Sequence, residues 1–235
     1  MRLVSWNACM KFRAKVDFIA PFDADVVIVP ESENLERLAD ADLSSWPHRH
    51  WIGDIPFKGL LVMSKPEYPL SVLDDYDESL RYILPLKIGG DANLTLLAAW
   101  TQRDERGHYT VDLMTAIDRY LDDNGDAVVI GDFNSNAIWD SYHRRAVTHT
   151  QIVERLESVG VLSVYHHLSR ETQGEETTAT HAFRRNREQV FHIDYYFASK
   201  RLLGPGSSVV VPPVDEWVHR SDHGPLIVDL CQSHQ

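Results

Sequence analysis

The chain has 235 residues, with 23 basic and 35 acidic side chains and a formal charge of −12. The composition suits a folded protein of one or two domains and argues against a disordered one. The charge excludes capture of polyanions or membrane surfaces by bulk attraction, and no apolar run approaches the roughly 18 residues of a membrane span. Met1 leads straight into Arg2-Leu3-Val4-Ser5-Trp6, without the apolar core of a secretory signal. Two cysteines, Cys9 and Cys231, are too few for a disulfide scaffold, so a reducing cytoplasm is the expected setting.

Residues 3–6 read as a strand, and Lys11 to Phe22 as a helix with Phe12, Val16, Ile19 and Ala20 on one stripe. Strands follow at 25–29, 60–63, 80–88 and 94–100. Several are continuous apolar runs, which suits strands covered on both faces. The spacing of Val111, Met114, Ile117 and Leu121 predicts a helix over Tyr109 to Asn124, stopped by the pair Asn124-Gly125. A strand at 127–130, a helix over Gln151 to Val159 ending at Gly160, and strands at 192–197, 209–211 and 226–228 complete the order. Residues 57–100 read as antiparallel neighbours joined by short turns. The pattern predicts a mixed-sheet α/β or α+β fold with helices over the sheet faces, and one domain over residues 1–235, since no repeat or linker divides the chain.

Polar residues stand directly beside the apolar strands in five places. Trp6-Asn7 ends the first strand and Pro30-Glu31 the second; Gly131-Asp132-Phe133-Asn134 follows the strand at 127–130. Ile193-Asp194-Tyr195 lies inside a strand, and Ser221-Asp222-His223-Gly224 precedes the last one. Each has a plain structural reading as well. Gly131 to Asn134 suits a turn, Asn7 a helix cap, and Ser221 to Gly224 an Asx-turn. Asp194 resists such a reading, because its apolar neighbours imply burial, and a buried acid is costly unless paired or metal-bound.

The ordered set resembles the endonuclease/exonuclease/phosphatase superfamily, also called deoxyribonuclease I-like. The resemblance runs from residue 6 to residue 224. It implies a four-layer sandwich of two mixed β-sheets packed face to face with helices outside, and Mg²⁺- or Mn²⁺-dependent hydrolysis of phosphate esters. It implies Glu31 as the principal metal ligand, with Asn7 and Asp222 close by. Asp132 would position or deprotonate the attacking water, and Asn134 would orient it. His223 would contact the phosphate, with Asp194 holding its other ring nitrogen. Three positions depart from the pattern. Trp100 stands where many relatives carry a His or Tyr, Cys9 where exonuclease III-type relatives often carry Asp, and His192 where Arg is common.

Substrate contacts are expected from Arg103, just past Trp100; from the loop Arg184-Arg185-Asn186-Arg187, through phosphate contacts; from His181, in the strand before Ile193-Asp194; and from Trp139, by stacking on a base or sugar. The histidines His143, His149, His166, His167 and His181 raise a rival zinc site, but no His-Glu-x-x-His or Cys-x-x-Cys spacing supports it. The expected activity is a nuclease acting on DNA as a monomer. The alternatives are a phosphatase or phosphodiesterase of small esters, which the acidic charge favours, and a silent binding module.

Overall fold

In the computed structural model, which describes residues 1–104, 108–122, 125–142 and 147–232, the apolar runs become strands whose alternate residues enter different layers. The chain order is β1 (Arg2–Ser5), α1 (Val16–Ile19), β2 (Val26–Ser32), β3 (His48–Ile55), β4 (Lys58–Ser64), β5 (Leu70–Val72), β6 (Ile83–Ile88), β7 (Leu94–Trp100), α2 (Val111–Tyr120) and β8 (Ala127–Asp132). There follow α3 (His149–Ser158), β9 (Val161–Ser163), α4 (Val164–Ser169), β10 (His181–Ala182), β11 (Val190–Phe191), β12 (Asp194–Ser199), β13 (Ser208–Val210), α5 (Val214–Trp217) and β14 (Leu226–Asp229).

Two six-stranded sheets run in the orders β13-β14-β1-β2-β4-β3 and β5-β6-β7-β8-β12-β9, and β10–β11 form a separate hairpin. Each six-stranded sheet has one parallel pair near its centre, β1–β2 in one and β7–β8 in the other. Leu3, Ile28, Leu60 and Val62 of the first sheet meet Leu96, Ala98, Ile130 and Tyr196 of the second in a dry inter-sheet core. The neighbouring residues in sequence point the other way. Leu97, Val129 and Phe197 pack under Leu113, Ile117, Ile152 and Leu156 of α2 and α3. Val4, Val27, Leu61 and Met63 pack under Phe12, Ile19, Leu38 and Trp46. The period-two alternation of doubly covered strands thus builds all four layers.

The outer layer on the first sheet is less helical than the periodicity suggests. In place of one helix over Lys11 to Phe22, α1 keeps four residues between two 3-10 turns, Phe12–Ala14 and Ala20–Phe22. Pro21 has no N–H to continue an α-helix, and Cys9, Met10 and Lys11 are all left-handed, with φ of 48°, 64° and 54°. Phe12, Val16 and Ile19 still face the core, whereas Ala20 is exposed. Helix α2 stops at Tyr120, where Leu121 turns extended; Asn124 of the expected stop lies outside the described residues. Helix α3 begins at His149, two residues before the expected start at Gln151, because Thr148 and Gln151 form a capping box. Four strands had no clear sequence signal, one of them the two-residue β11. β3 is a half-buried edge strand rich in polar residues, and β5 and β9 are three residues each. Among the described residues no helix is long and apolar enough to cross a membrane.

One glycine governs how closely the parallel pair β7–β8 approaches. Gly131 has φ of 143°, and a Cβ placed there would lie 1.8 Å from the Ala99 carbonyl oxygen. Gly131→Ala is therefore expected to cost on the order of 4 kcal/mol or more, the size associated with backbone strain combined with a core clash. Chemical denaturation checks this; a loss below about 1 kcal/mol would mean the strands can separate without penalty.

Candidate active site

The parallel pairs bring the ends of β1, β2 and β8 to one edge of the sandwich, and polar groups from both sheets meet there. Asp132 ends β8 and is 1% exposed. Its Oδ2 accepts a hydrogen bond from Asn7 Nδ2 at 2.9 Å, across the sheet boundary. Its Oδ1 accepts from the Asn134 backbone N–H at 2.9 Å, a reach-back made possible by the left-handed Asn134 (φ 48°). Asn134 Nδ2 donates to the Thr101 carbonyl.

Asp194 lies directly opposite Asp132 in the β8–β12 ladder. The buried Thr180 hydroxyl oxygen accepts the N–H groups of both Ile193 and Asp194, at 2.9 and 3.0 Å, and fixes the start of β12. Asp194 Oδ2 is 2.8 Å from His223 Nδ1, while its other oxygen is buried with no partner. His223 Nε2 then faces Asp132 Oδ2 at 3.8 Å. Three bonds hold the segment that carries this histidine. Trp6 Nε1 donates to its carbonyl, its N–H donates to Ser221 Oγ, and Ser221 Oγ donates to the Asn7 carbonyl. The residues next to Asn7 and His223 thus lock the two segments together.

Glu31 sits at a register break in β2 between Pro30 and Ser32, with φ of 59°. The bulge turns its carboxylate toward the site, where Oε1 is 3.5 Å from Asn7 Nδ2 and Oε2 is 3.4 Å from Lys58 Nζ. Asn7 offers its NH₂ to both carboxylates, while its carbonyl oxygen accepts the Cys9 N–H. Asp222 completes the acidic set, 4.0 Å from His181 Nε2.

Charge and burial set the protonation states. Burial opposes a charge on His223, but the carboxylates of Asp194 and Asp132 overcome it and raise its pKa to about 10. Burial, reinforced by the Asp194 charge, raises Asp132 to about 7, against the opposing pull of His223 and Asn7. Asp222 is held below the usual carboxylate range: burial would raise it, but His223 and the Cys9 thiol outweigh that. The imidazolium is thus clamped between two carboxylates, and one of them, Asp132, is poised to gain or lose a proton near neutrality.

These groups open into a cleft of about 530 Å³. Glu31, Asp132, Asn134, Asp222 and His223 lie along it, as do Arg103, Trp139, His181 and Arg184. Asn7 stands behind it, 1% exposed, and Asp194 is buried beneath His223. Two of the expected arginines are placed elsewhere. Arg185 donates to the carbonyls of His219 and Arg220, and Arg187 pairs with Asp215 at 2.9 Å. Neither is among the residues that line the cleft, although Arg185 also reaches the Cys9 thiol, which is itself bonded to Asp222. The cleft wall also contains Tyr109, Phe183 and Phe191, which carried no motif in the sequence. Tyr109 accepts a hydrogen bond from Arg103 Nε at 2.8 Å. Trp100 points into the inter-sheet core, stacked 5.2 Å from Tyr82, and offers no acid to the site.

The histidine-only zinc site does not form among the described residues. His149 is engaged by Ser135 and Gln173, and His166 by Ser163 and Glu176, within a buried network behind the cleft; His143 lies outside the described residues. Asp132, Asp194 and His223 do place ligand atoms within 4.8 Å of one another. His223 Nδ1 is committed to Asp194, and the flanking carboxylates raise the pKa of the ring, which favours its protonated form. Glu31, Asp132 and Asp222 offer oxygen alone, the donor type that suits a hard divalent cation, and the Lys58 ammonium stands 3.4 Å from Glu31 Oε2.

A proton-holding imidazole beside carboxylates is an arrangement that suits metal-assisted hydrolysis of a phosphate ester. The chain belongs to the Endonuclease/Exonuclease/phosphatase family, whose model matches residues 4–223; this family consists of divalent-metal-dependent hydrolases of phosphate esters. The fold is similar to that of an AP endonuclease from Archaeoglobus fulgidus, with 16% identity and a TM-score of 0.70 over 98% of this chain and 99% of that one. It is similar to the Xenopus laevis APE2 catalytic domain, at 15% identity and a TM-score of 0.67 over 99% and 92%. It is also similar to the 3' phosphatase NExo from Neisseria, solved with a product DNA hairpin, at 17% identity and a TM-score of 0.66 over 98% and 99%. No curated protein matches the sequence. At such identities the structural likeness concerns the fold.

Proposed function

We propose that this protein is a nuclease that cleaves DNA phosphodiester bonds by metal-assisted attack of water. The observation that carries the reading is the convergence of Asp132, Asn7, His223 and Asp194 at the floor of a cleft with Glu31 and Asp222 at its side. Asp132 takes the proton of the attacking water, which its pKa near neutrality suits. His223, kept protonated by Asp194, donates to a phosphate oxygen and stabilises the charge that grows there. Asn7 orients both Asp132 and Glu31, and Asn134 positions the water. Glu31 and Asp222 would hold a Mg²⁺ or Mn²⁺ ion, which would supply charge neutralisation at the phosphate. The cleft wall favours a nucleic acid, since Trp139, Phe183, Phe191 and Tyr109 present faces for a base or sugar while Arg103 and Arg184 present charge for phosphates. Both described cysteines are free thiols, in keeping with work in a reducing cytoplasm.

One observation favours a second reading. The cleft volume is on the scale of a single small ligand, and the chain carries −12, so a small phosphate ester is the competing substrate. The test gives purified protein Mg²⁺ or Mn²⁺ and a panel of single-stranded, duplex and abasic DNA. Cleavage of at least one is expected. Inertness on all three, with hydrolysis of a small phosphate ester, replaces the first reading with the second.

A further inference from the structure

Lys58 is the charged neighbour of the site that the proposed chemistry leaves without a task. It opens β4, directly after the turn that joins β3 to β4. Two contacts hold its ammonium. Nζ is 3.4 Å from Glu31 Oε2 and lies 5.0 Å from the centre of the Trp100 ring. The indole is itself fixed by stacking on Tyr82 at 13° between planes. The next residue, Gly59, is packed against the Trp51 ring and the Ile52 carbonyl, where a Cβ would lie 2.3 Å from that oxygen. The backbone at the base of Lys58 is therefore anchored, and the length of the side chain provides its freedom. The side chain keeps 34% of its exposure and that of Glu31 19%, so the pair is half-solvated rather than entombed.

Resting on the reading that Glu31 is a metal ligand, we infer that Lys58 is a tethered counter-ion of Glu31, which a divalent cation must displace to bind. Oε1 of Glu31 meets the neutral amide of Asn7 and Oε2 meets the ammonium, so the carboxylate is spoken for on both sides. A cation and the ammonium cannot share Oε2, because like charges a few ångströms apart repel strongly in a half-buried site. Displaced from Oε2, the ammonium can swing into the solvent that its 34% exposed side chain already meets, while the Trp100 ring it now touches offsets part of the lost attraction. The arrangement keeps Glu31 oriented without metal and makes metal binding weaker than the bare carboxylates would make it.

The experiment is a titration of the full chain with Mn²⁺ alone, read by the electron paramagnetic resonance of the free ion, for wild type, Lys58→Met, Lys58→Arg and Glu31→Gln. Melting temperatures are measured alongside to confirm folding. Lys58→Met is expected to bind Mn²⁺ about five- to tenfold more tightly, the scale of one half-buried ion pair. Lys58→Arg should stay near wild type, because it keeps the competing charge, and Glu31→Gln should bind more weakly. Weaker binding in Glu31→Gln with unchanged or weaker binding in Lys58→Met would overturn the counter-ion role alone. Unchanged binding in Glu31→Gln would instead remove Glu31 as a ligand, and the counter-ion role with it.

Discussion

Asp132→Asn is expected to lower single-turnover cleavage by about 10²–10⁴-fold, the range for loss of a positioned acid–base group, while the protein still folds. The substitution keeps the shape and removes the proton acceptor. The amide oxygen can still take the Asn134 N–H now received by Oδ1. Its NH₂ would then face the NH₂ of Asn7, where the wild type has a donor–acceptor pair at 2.9 Å. That mismatch is offset by the relief of a buried charge, since Asp132 is 1% exposed and already raised to about 7. The melting temperature should therefore move by only a few degrees. Near-normal turnover in a folded Asp132→Asn variant would place the water-activating group elsewhere.

His223→Ala should lose a comparable factor, for a different reason and with a different signature. Truncation leaves the Asp194 carboxylate buried without its hydrogen-bond partner, so a stability loss accompanies the loss of activity. His223→Gln, which keeps a donor, separates the two effects: a restored melting temperature without restored turnover assigns the chemistry to the imidazolium. The companion variant Asp194→Asn tests the clamp itself. In the wild type the protonated form of His223 persists as pH rises to about 10, because the neighbouring carboxylates hold the proton. Without the Asp194 charge the folded pKa falls, so the active protonated form is lost at lower pH. The alkaline limb of the pH–rate profile should accordingly shift to lower pH in Asp194→Asn. An unmoved limb would mean that His223 does not act as a proton-holding group.

The two variants should also fail to add. Asp194 acts through His223, so the double variant Asp194→Asn/His223→Ala should be about as slow as His223→Ala alone.

Much of this site is legible in the amino-acid sequence, for a physical reason that differs from residue to residue. Asp194 stands out because a carboxylate among Ile193, Tyr195 and Phe197 has to be paired, and it is, by His223. Glu31 and Asp132 stand at the ends of doubly covered strands, and such strands end at one edge of the sandwich when their parallel partners share a direction. The fit between Arg185 or Arg187 and phosphate is a matter of charge alone, and charge does not say which partner wins. Here Arg187 pairs with Asp215, and Arg185 donates to the carbonyls of His219 and Arg220. Tyr109, just before α2, and Lys58, just after the β3–β4 turn, carry no motif, because only the tertiary fold brings one to the cleft wall and the other to Glu31.

What the residues decide locally is therefore the layering: alternate apolar positions in β1, β2, β7 and β8 have two buried faces to fill, and only a sandwich with outer cover fills both. The helix expected over Lys11 to Phe22 shows the limit of that local information, since a missing N–H at Pro21 and three left-handed residues reshape it. Tertiary packing alone settles which polar groups touch. Asn7 meets Asp132 across a sheet boundary, and Glu31 meets Lys58 through a bulge. The contacts of the site join residues up to 217 positions apart, and their geometry follows from how two twisted sheets face each other, a property no single segment contains.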